Sequence, residues 1–178
     1  PKETLHNFLK SPQYGTNVEA DIKANGKKAT AKPAETALIV HRVLAMGDLN
    51  GDRRPELVVA NNGANNVSVL LNNGDGTFKP KTNYVTGTAP ISVTIADFSG
   101  TGTNDVAVAN VNSNAVSLLR GNGDGTLRPV TTAGSVQFGN SYILAGDFNN
   151  DHKLDLAALG LLGVSVFPGN GNGTFQLA

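Results

Sequence analysis

MGDLNGDRRPELVVANNGANNVSVLLNNGDGTF, residues 46–78, holds an acidic loop, two short apolar runs and a glycine turn, in that order. The loop is Asp48-Leu49-Asn50-Gly51-Asp52-Arg53-Arg54-Pro55-Glu56, and the apolar runs are Leu57 to Ala60 and Val67 to Leu71. The turn is Asn73-Gly74-Asp75-Gly76-Thr77-Phe78. The series returns twice. Acidic loops recur at 97–105 and 147–155, and glycine turns at 122–127 and 171–175. Asp48, Asp97 and Asp147 stand 49 and 50 residues apart. A fixed period of that length marks stacked supersecondary units.

Within a unit the pattern is that of short strands. Ile91 to Ala96 alternates apolar and polar residues, the period of a half-buried strand. Short apolar runs follow each acidic loop at 57–60, 106–109 and 156–159, and again at 67–71, 116–119 and 164–167. A weaker fourth strand is expected after each glycine turn. No window sustains a 3.6-residue period, so no helix is expected. Asn-Gly and Asp-Gly in the glycine turns suit hairpin positions that need φ > 0. A four-stranded sheet of this size cannot bury its faces alone, and radial packing of such sheets makes a β-propeller.

The fold class is therefore all-β, with three four-stranded antiparallel blades. The expected divisions are 37–84, 85–134 and 135–178, preceded by 1–36. Phe8 and Tyr14 repeat the spacing of Phe78 and Tyr84, so residues 8–16 read as one strand of a partial N-terminal blade. Lys23 to Lys32 reads as a polar, basic insertion. Three blades cannot close a ring. The chain is expected to be a piece of a longer propeller, an open arc, or part of a ring completed by a homo-oligomer. Its first residue is Pro1 rather than Met, which fits a mature form or a piece.

Composition narrows the partners. Fourteen basic and 14 acidic residues balance, so no nucleic-acid partner is expected. No apolar run approaches the roughly 18 residues of a membrane span, so no membrane insertion is expected. The absence of Cys excludes disulfides, thiolate zinc sites and cysteine nucleophiles.

The acidic loop follows D-x-N-x-D-x-x-x-[DE]. Positions one, three and five put oxygen side chains inside a tight turn. Position seven can offer a backbone carbonyl, and position nine a bidentate carboxylate. Ca²⁺ takes six to eight hard oxygen ligands, so Ca²⁺ is the expected cofactor. In the first loop the ligands would be Asp48, Asn50, Asp52, the Arg54 carbonyl and Glu56. In the third they would be Asp147, Asn149, Asp151, the Lys153 carbonyl and Asp155. In the middle loop they would be Asp97, Ser99, Thr101, the Thr103 carbonyl and Asp105, with two carboxylates instead of three. That site is expected to be weaker or empty, because ligand charge tunes affinity. Metal-free Asx turns would use the same residues. Crowding of like charges in nine residues argues for a cation.

Met46-Gly47-Asp48-Leu49-Asn50-Gly51-Asp52, Ala145-Gly146-Asp147-Phe148-Asn149-Asn150-Asp151 and the Val-Ser-Val-Leu-Leu…Asn-Gly-Asp-Gly-Thr-Phe half of the unit resemble FG-GAP repeats of the integrin-α type, also known as VCBS-like repeats. The resemblance covers Leu38 to Phe175. It implies a propeller whose blades carry Ca²⁺ between their first two strands, and an extracellular, secreted or cell-surface role in adhesion or in binding protein or carbohydrate. Ser99 and Thr101 depart from the family pattern.

An enzyme is not expected. Ten carboxylates follow Val43; eight lie in the acidic loops, and Asp75 and Asp124 lie in glycine turns. None is left over as a general acid or base. His6, His41 and His152 form no catalytic motif, and neither G-x-S-x-G nor H-E-x-x-H occurs. The function expected is a calcium-stabilised binding or adhesion module for a protein or glycan ligand. The alternatives are a structural subunit of a surface layer or filament, and the accessory propeller of a secreted polysaccharide-degrading enzyme. Candidate contact residues are Asn61 to Asn66, Asn110 to Asn114, Tyr84 and Tyr142.

Overall fold

The computed structural model describes residues 42–135, 142–160 and 163–176. The expected partial blade strand at 8–16 and the polar insertion at 23–32 lie outside the described residues. Those residues form three antiparallel sheets and no α-helix. The first sheet holds β1 (Arg42–Gly47), β2 (Glu56–Asn61), β3 (Asn66–Leu70) and β4 (Thr82–Val85). The second holds β5 (Pro90–Ala96), β6 (Asp105–Asn110), β7 (Ala115–Leu119) and β8 (Thr131–Ser135). The third holds β9 (Tyr142–Gly146), β10 (Asp155–Gly160) and β11 (Gly163–Phe167). Strands pair in sequence order in each sheet, which makes each an up-and-down meander.

The four-stranded expectation needs one correction. The third sheet has three strands among the described residues. In the first two sheets the outer strand begins just past the bridges Asn72↔Phe78 and Gly121↔Leu127. The matching bridge of the third sheet is Gly169↔Phe175, next to the last described residue, Gln176.

The sheets stack as an open arc of propeller blades. β5, the first strand of the middle blade, lies between β1 and β9. Side-chain alternation then sends each strand's two faces to different neighbours. Val58, Ala60, Val67 and Val69 of the first blade meet Val93, Val106, Val108 and Leu119 of the second. Ala107, Ala109, Val116 and Leu118 on the middle blade's other face meet Ile143, Leu156, Ala158 and Phe167 of the third. β6 is consequently buried along its whole length. A strand covered on both faces carries apolar residues at every other position on each side, which is why Val106 to Ala109 reads as an unbroken apolar run. In β10 the buried apolar residues, Leu156 and Ala158, lie on the side facing the middle blade, and Leu159 on the other side is exposed.

Candidate metal-binding loops at the blade junctions

Each acidic loop joins the first two strands of its blade and winds through two left-handed residues. These are Gly51 (φ 78°) and Arg53 (φ 64°) in the first, Gly100 (65°) and Gly102 (79°) in the second, and Asn150 (59°) and His152 (64°) in the third. The repeated left-handed steps coil the backbone so that several N–H groups converge on the first aspartate. Asp48 Oδ1 accepts from Gly51 N at 2.7 Å and Asn50 N at 3.2 Å, and Asp48 Oδ2 accepts from Arg53 N at 2.8 Å. Asp97 accepts from Thr101 N and Gly102 N at 3.1 and 2.7 Å. Asp147 accepts from Asp151 N and His152 N at 3.2 and 2.9 Å.

Desolvation pushes the Asp48 carboxyl up, but the backbone donors Arg53, Gly51, Asn50 and Asp52 outweigh it and hold the group below its ordinary value. In Asp147 desolvation is likewise outweighed, by the amides of His152, Asp151, Asn150 and Asn149. Three or four N–H bonds to one carboxylate favour its charged form.

The ninth-position carboxylates have a second task. Glu56 and Asp105 are fully buried, and Asp155 is nearly so. Glu56 Oε2 accepts from Leu49 N at 2.8 Å, and Oε1 more loosely from Asn72 N at 3.4 Å. Asp105 accepts from Ser99 N at 3.0 Å and Gly121 N at 2.9 Å. Asp155 accepts from Phe148 N at 3.0 Å and Gly169 N at 2.7 Å. Each therefore buckles its own acidic loop to the strand leading into the glycine turn.

Positions three and five stay near the solvent. Asn50 Oδ1 accepts from Asp52 N at 3.0 Å, and Asn149 Oδ1 from Asp151 N at 2.9 Å. Asp52 lies 3.9 Å from Arg54 Nε, and Asp151 lies 3.6 Å from Lys153 Nζ. Exposed pairs of this kind contribute little. In the middle loop the hydroxyls of Thr101 and Thr103 bond to each other at 2.8 Å. No group of three or more carboxylate or imidazole side chains converges in metal-holding geometry among the described residues. The donor set suits a hard cation: carboxylate, amide and hydroxyl oxygens, with no thiolate. Asp48 Oδ2 and both oxygens of Asp97 each accept one hydrogen bond and keep a second lone pair.

The loops also tie blade to blade, which sequence reasoning missed. The Asn104 side-chain amide donates to the Asp48 carbonyl at 2.7 Å. The Gly125 amide donates to the Leu49 carbonyl at 3.0 Å, and the Gly173 amide to the Phe98 carbonyl at 2.9 Å. The glycine turn of one blade thus bonds to the acidic loop of the blade before it. Leu49 packs in one core cluster with Leu127, and Phe98 meets Phe175 edge to face at 5.7 Å. The signal was present in the sequence as an apolar residue at position two of every polar loop: Leu49, Phe98 and Phe148. A cleft of about 110 Å³ opens between the first two loops, lined by Asp48, Leu49, Gly51, Thr103, Asn104 and Gly123.

The expected contact residues fare differently. Asn61 to Asn66 lie at the opposite end of the blade. There Asn61 donates to Asn66 and Ser68 at 2.8 Å, and Asn65 accepts from Ala89 N at 2.9 Å. Asn110 is buried, its amide donating to Ser117 Oγ and the Ala115 carbonyl, so it belongs to the core rather than to a contact surface. Tyr84 is half-buried; it packs on the first core cluster and lines an outer groove with Asn83, Val85, Arg128, Pro129 and Val130. Tyr142 is exposed on the outer face of the third sheet.

A FG-GAP-like repeat family model matches residues 48–108 and again 97–158. Among solved structures, an Agrocybe aegerita lectin, described as specifically recognising non-reducing terminal N-acetylglucosamine, is 21% identical with a TM-score of 0.56. The match covers 78% of this chain and 38% of the lectin, so the chain spans well under half the lectin's length. The Photorhabdus luminescens Tc holotoxin pore is 20% identical with a TM-score of 0.48, over 75% of this chain and 7% of the toxin chain. No protein of curated function matches the sequence. With the repeated acidic loop, the meandering blades and matches that together span more than half its length, the chain belongs to the FG-GAP-like repeat family.

Proposed function

We propose that this chain is a calcium-stabilised β-propeller module that binds a protein or glycan ligand outside the cell, and that it is not itself an enzyme. The observation that carries the calcium reading is the recurrence of one loop geometry at three successive positions. Each loop has a first aspartate that accepts hydrogen bonds from backbone amides of its own loop, and a buried ninth carboxylate. The residues to hold the ion are Asp48, Asn50, Asp52 and Glu56 in the first loop, with their equivalents in the others. A bound cation would supply charge neutralisation to a rim whose carboxylates otherwise face only partly exposed Arg54 and Lys153.

The groove beside Tyr84 supports the ligand reading. It sets an aromatic side chain beside the polar groups of Asn83 and Arg128, the mixture that sugar and peptide ligands use. The lectin's stated ligand makes terminal N-acetylglucosamine the first glycan to test.

Thermal melts with millimolar Ca²⁺, with Mg²⁺ and with excess chelator test the first part. A ligand that binds only the folded state raises stability by about 3–4 kcal/mol at 100 to 1,000 times its Kd. An upward shift in Tm with Ca²⁺ alone is expected; identical melts in all three would sink the calcium reading. A glycan array read with wild type and Tyr84→Ala tests the second part, and signal independent of Tyr84 would remove the groove from consideration.

A further inference from the structure

An asparagine side chain can cyclise onto the next backbone nitrogen, and a glycine, having no Cβ, leaves that nitrogen open to it. The glycine nitrogen attacks the asparagine Cγ, and the new bond closes a succinimide ring. The Cγ–Nδ2 bond breaks, the amide proton passes through solvent to the departing nitrogen, and ammonia leaves. Water then opens the ring at either carbonyl and yields aspartate or isoaspartate. Six of the described asparagines stand directly before a glycine; a seventh, Asn25, lies outside the described residues.

Ring closure requires the Asn–Gly peptide to rotate until its nitrogen faces Cγ. Hydrogen bonds to that peptide resist the rotation, and three of the pairs are held in this way. Gly51 N donates to Asp48 Oδ1 at 2.7 Å. Gly74 N donates to Asn72 Oδ1 at 2.8 Å, and the Asn73 carbonyl accepts from Arg54 Nη1 at 2.9 Å. Gly173 N donates to the Phe98 carbonyl at 2.9 Å, and the Asn172 carbonyl accepts from Arg120 Nη2 at 2.7 Å. A fourth, Asn62, opens a 3-10 turn, whose helical torsions turn the next nitrogen away from the side-chain carbon.

Asn122-Gly123 and Asn170-Gly171 differ. Both asparagines are exposed, and neither peptide makes a hydrogen bond through its carbonyl or its N–H among the described residues. The sequence carries the cause. Asn72 caps the first glycine turn, whereas Gly121 and Gly169 stand in its place in the other two. A Cβ at either would run into a backbone carbonyl oxygen, that of Asn104 or Leu154, so no capping side chain fits. Position seven of the acidic loop supplies the rest. Arg54 reaches the Asn73 carbonyl, its counterpart Thr103 bonds to Thr101, and Lys153 pairs with Asp151.

We propose that Asn122 and Asn170 are deamidation sites of the folded chain, while its hydrogen bonds and the 3-10 turn shield the other four. Both lie in the turns that tie blade to blade. The Gly125 amide donates to the Leu49 carbonyl, and the Gly173 amide to the Phe98 carbonyl. Isoaspartate routes the main chain through the side-chain carbon and lengthens the turn, so conversion loosens the junction that the turn holds. The reaction consumes only water and depends on neither calcium nor a ligand.

Mass-spectrometric peptide mapping of the whole 178-residue chain, held folded in mildly alkaline buffer, is the test, with tandem spectra assigning each asparagine. Conversion at Asn122 and Asn170 is expected to outrun that at Asn50, Asn62, Asn73 and Asn172 about tenfold or more, the factor that one to two hydrogen bonds place on a rate. In urea the six should converge. Asn72→Gly combined with Arg54→Ala removes both restraints on the 73–74 peptide and should bring Asn73 up to the rate of Asn122. Converted chain, separated by its added negative charge, should melt below unconverted chain. Equal rates at the six positions of the folded chain overturn the proposal. So does a ranking that survives in urea, which would place the cause in the local sequence, and so does an Asn73 that stays slow in the folded double variant. Converted chain that melts with the unconverted overturns the link to the junctions. If the double variant loses the far-UV sheet spectrum, Asn72→Gly alone replaces it, with a smaller rise at Asn73 expected and no rise counting against the proposal.

Discussion

Asn104 donates its side-chain amide to the backbone carbonyl of Asp48 across 2.7 Å, joining the second acidic loop to the first. The two residues are 56 positions apart in sequence. The bond sits on the wall of the cleft between the loops. Asn104→Ala removes the donor and leaves a partly buried carbonyl without it. A loss of about 1 kcal/mol in unfolding free energy is expected from urea denaturation, the net worth of one such bond. A variant as stable as wild type would show that water replaces the amide at no cost.

Glu56 presents a sharper case, because it is fully buried and serves two elements. Glu56→Ala leaves the Leu49 and Asn72 amides without their acceptor. Each unsatisfied buried donor costs about 1–3 kcal/mol, so the variant should lose several kcal/mol or fail to fold. Glu56→Gln keeps one acceptor oxygen and should fall between. Denaturant midpoints of the three proteins check the order, and Glu56→Gln below Glu56→Ala would contradict it.

The lowered pKa values of Asp48 and Asp147 make stability depend on acid. Both groups bind protons more weakly folded than unfolded, so their contribution is complete above the ordinary carboxylate value of 3.8 and fades as pH falls through the folded value. Tm should be level near neutrality and drop below about pH 4. The drop should be shallower in Asp48→Asn, whose side chain no longer titrates. An acid limb of equal slope in wild type and variant would remove Asp48 as a contributor.

The middle loop is expected to be the weakest of the three calcium sites. Ser99 and Thr101 stand where the first loop has Asn50 and Asp52, and Thr101 is bonded to Thr103. Calorimetric titration should therefore find two sites of similar affinity and a third that is much weaker or undetected. Ser99→Asn with Thr101→Asp should strengthen the third site by restoring the third carboxylate. Three equal sites in wild type would refute the role assigned to ligand charge.

Much of the fold was legible because the repeat is written in chemistry that acts locally. Alternation in Ile91 to Ala96 and the apolar runs at 57–60 and 106–109 mark strands, and the structure places β5, β2 and β6 there. Gly74, Gly76, Gly123 and Gly125 have φ of 82–86°, the left-handed values that the Asn-Gly and Asp-Gly pairs called for. The acidic loop was legible as a unit, but the work of its last residue was not. The partners of Asp105 and Asp155 are Gly121 and Gly169, 16 and 14 residues away. Only the pairing of the second strand with the third brings them into reach.

The sequence by itself determined the blade: its period, its strands, its left-handed turns and the oxygen-rich loop at its head. These follow from side-chain alternation and backbone sterics within about fifty residues, the length of one repeat. The tertiary structure decided what the loops face. Leu49 and Phe98 have the same local setting as Phe148, yet the first two are buried under a neighbour's glycine turn and the third lies open. Burial at a junction depends on what packs against it, and no residue within the loop encodes that.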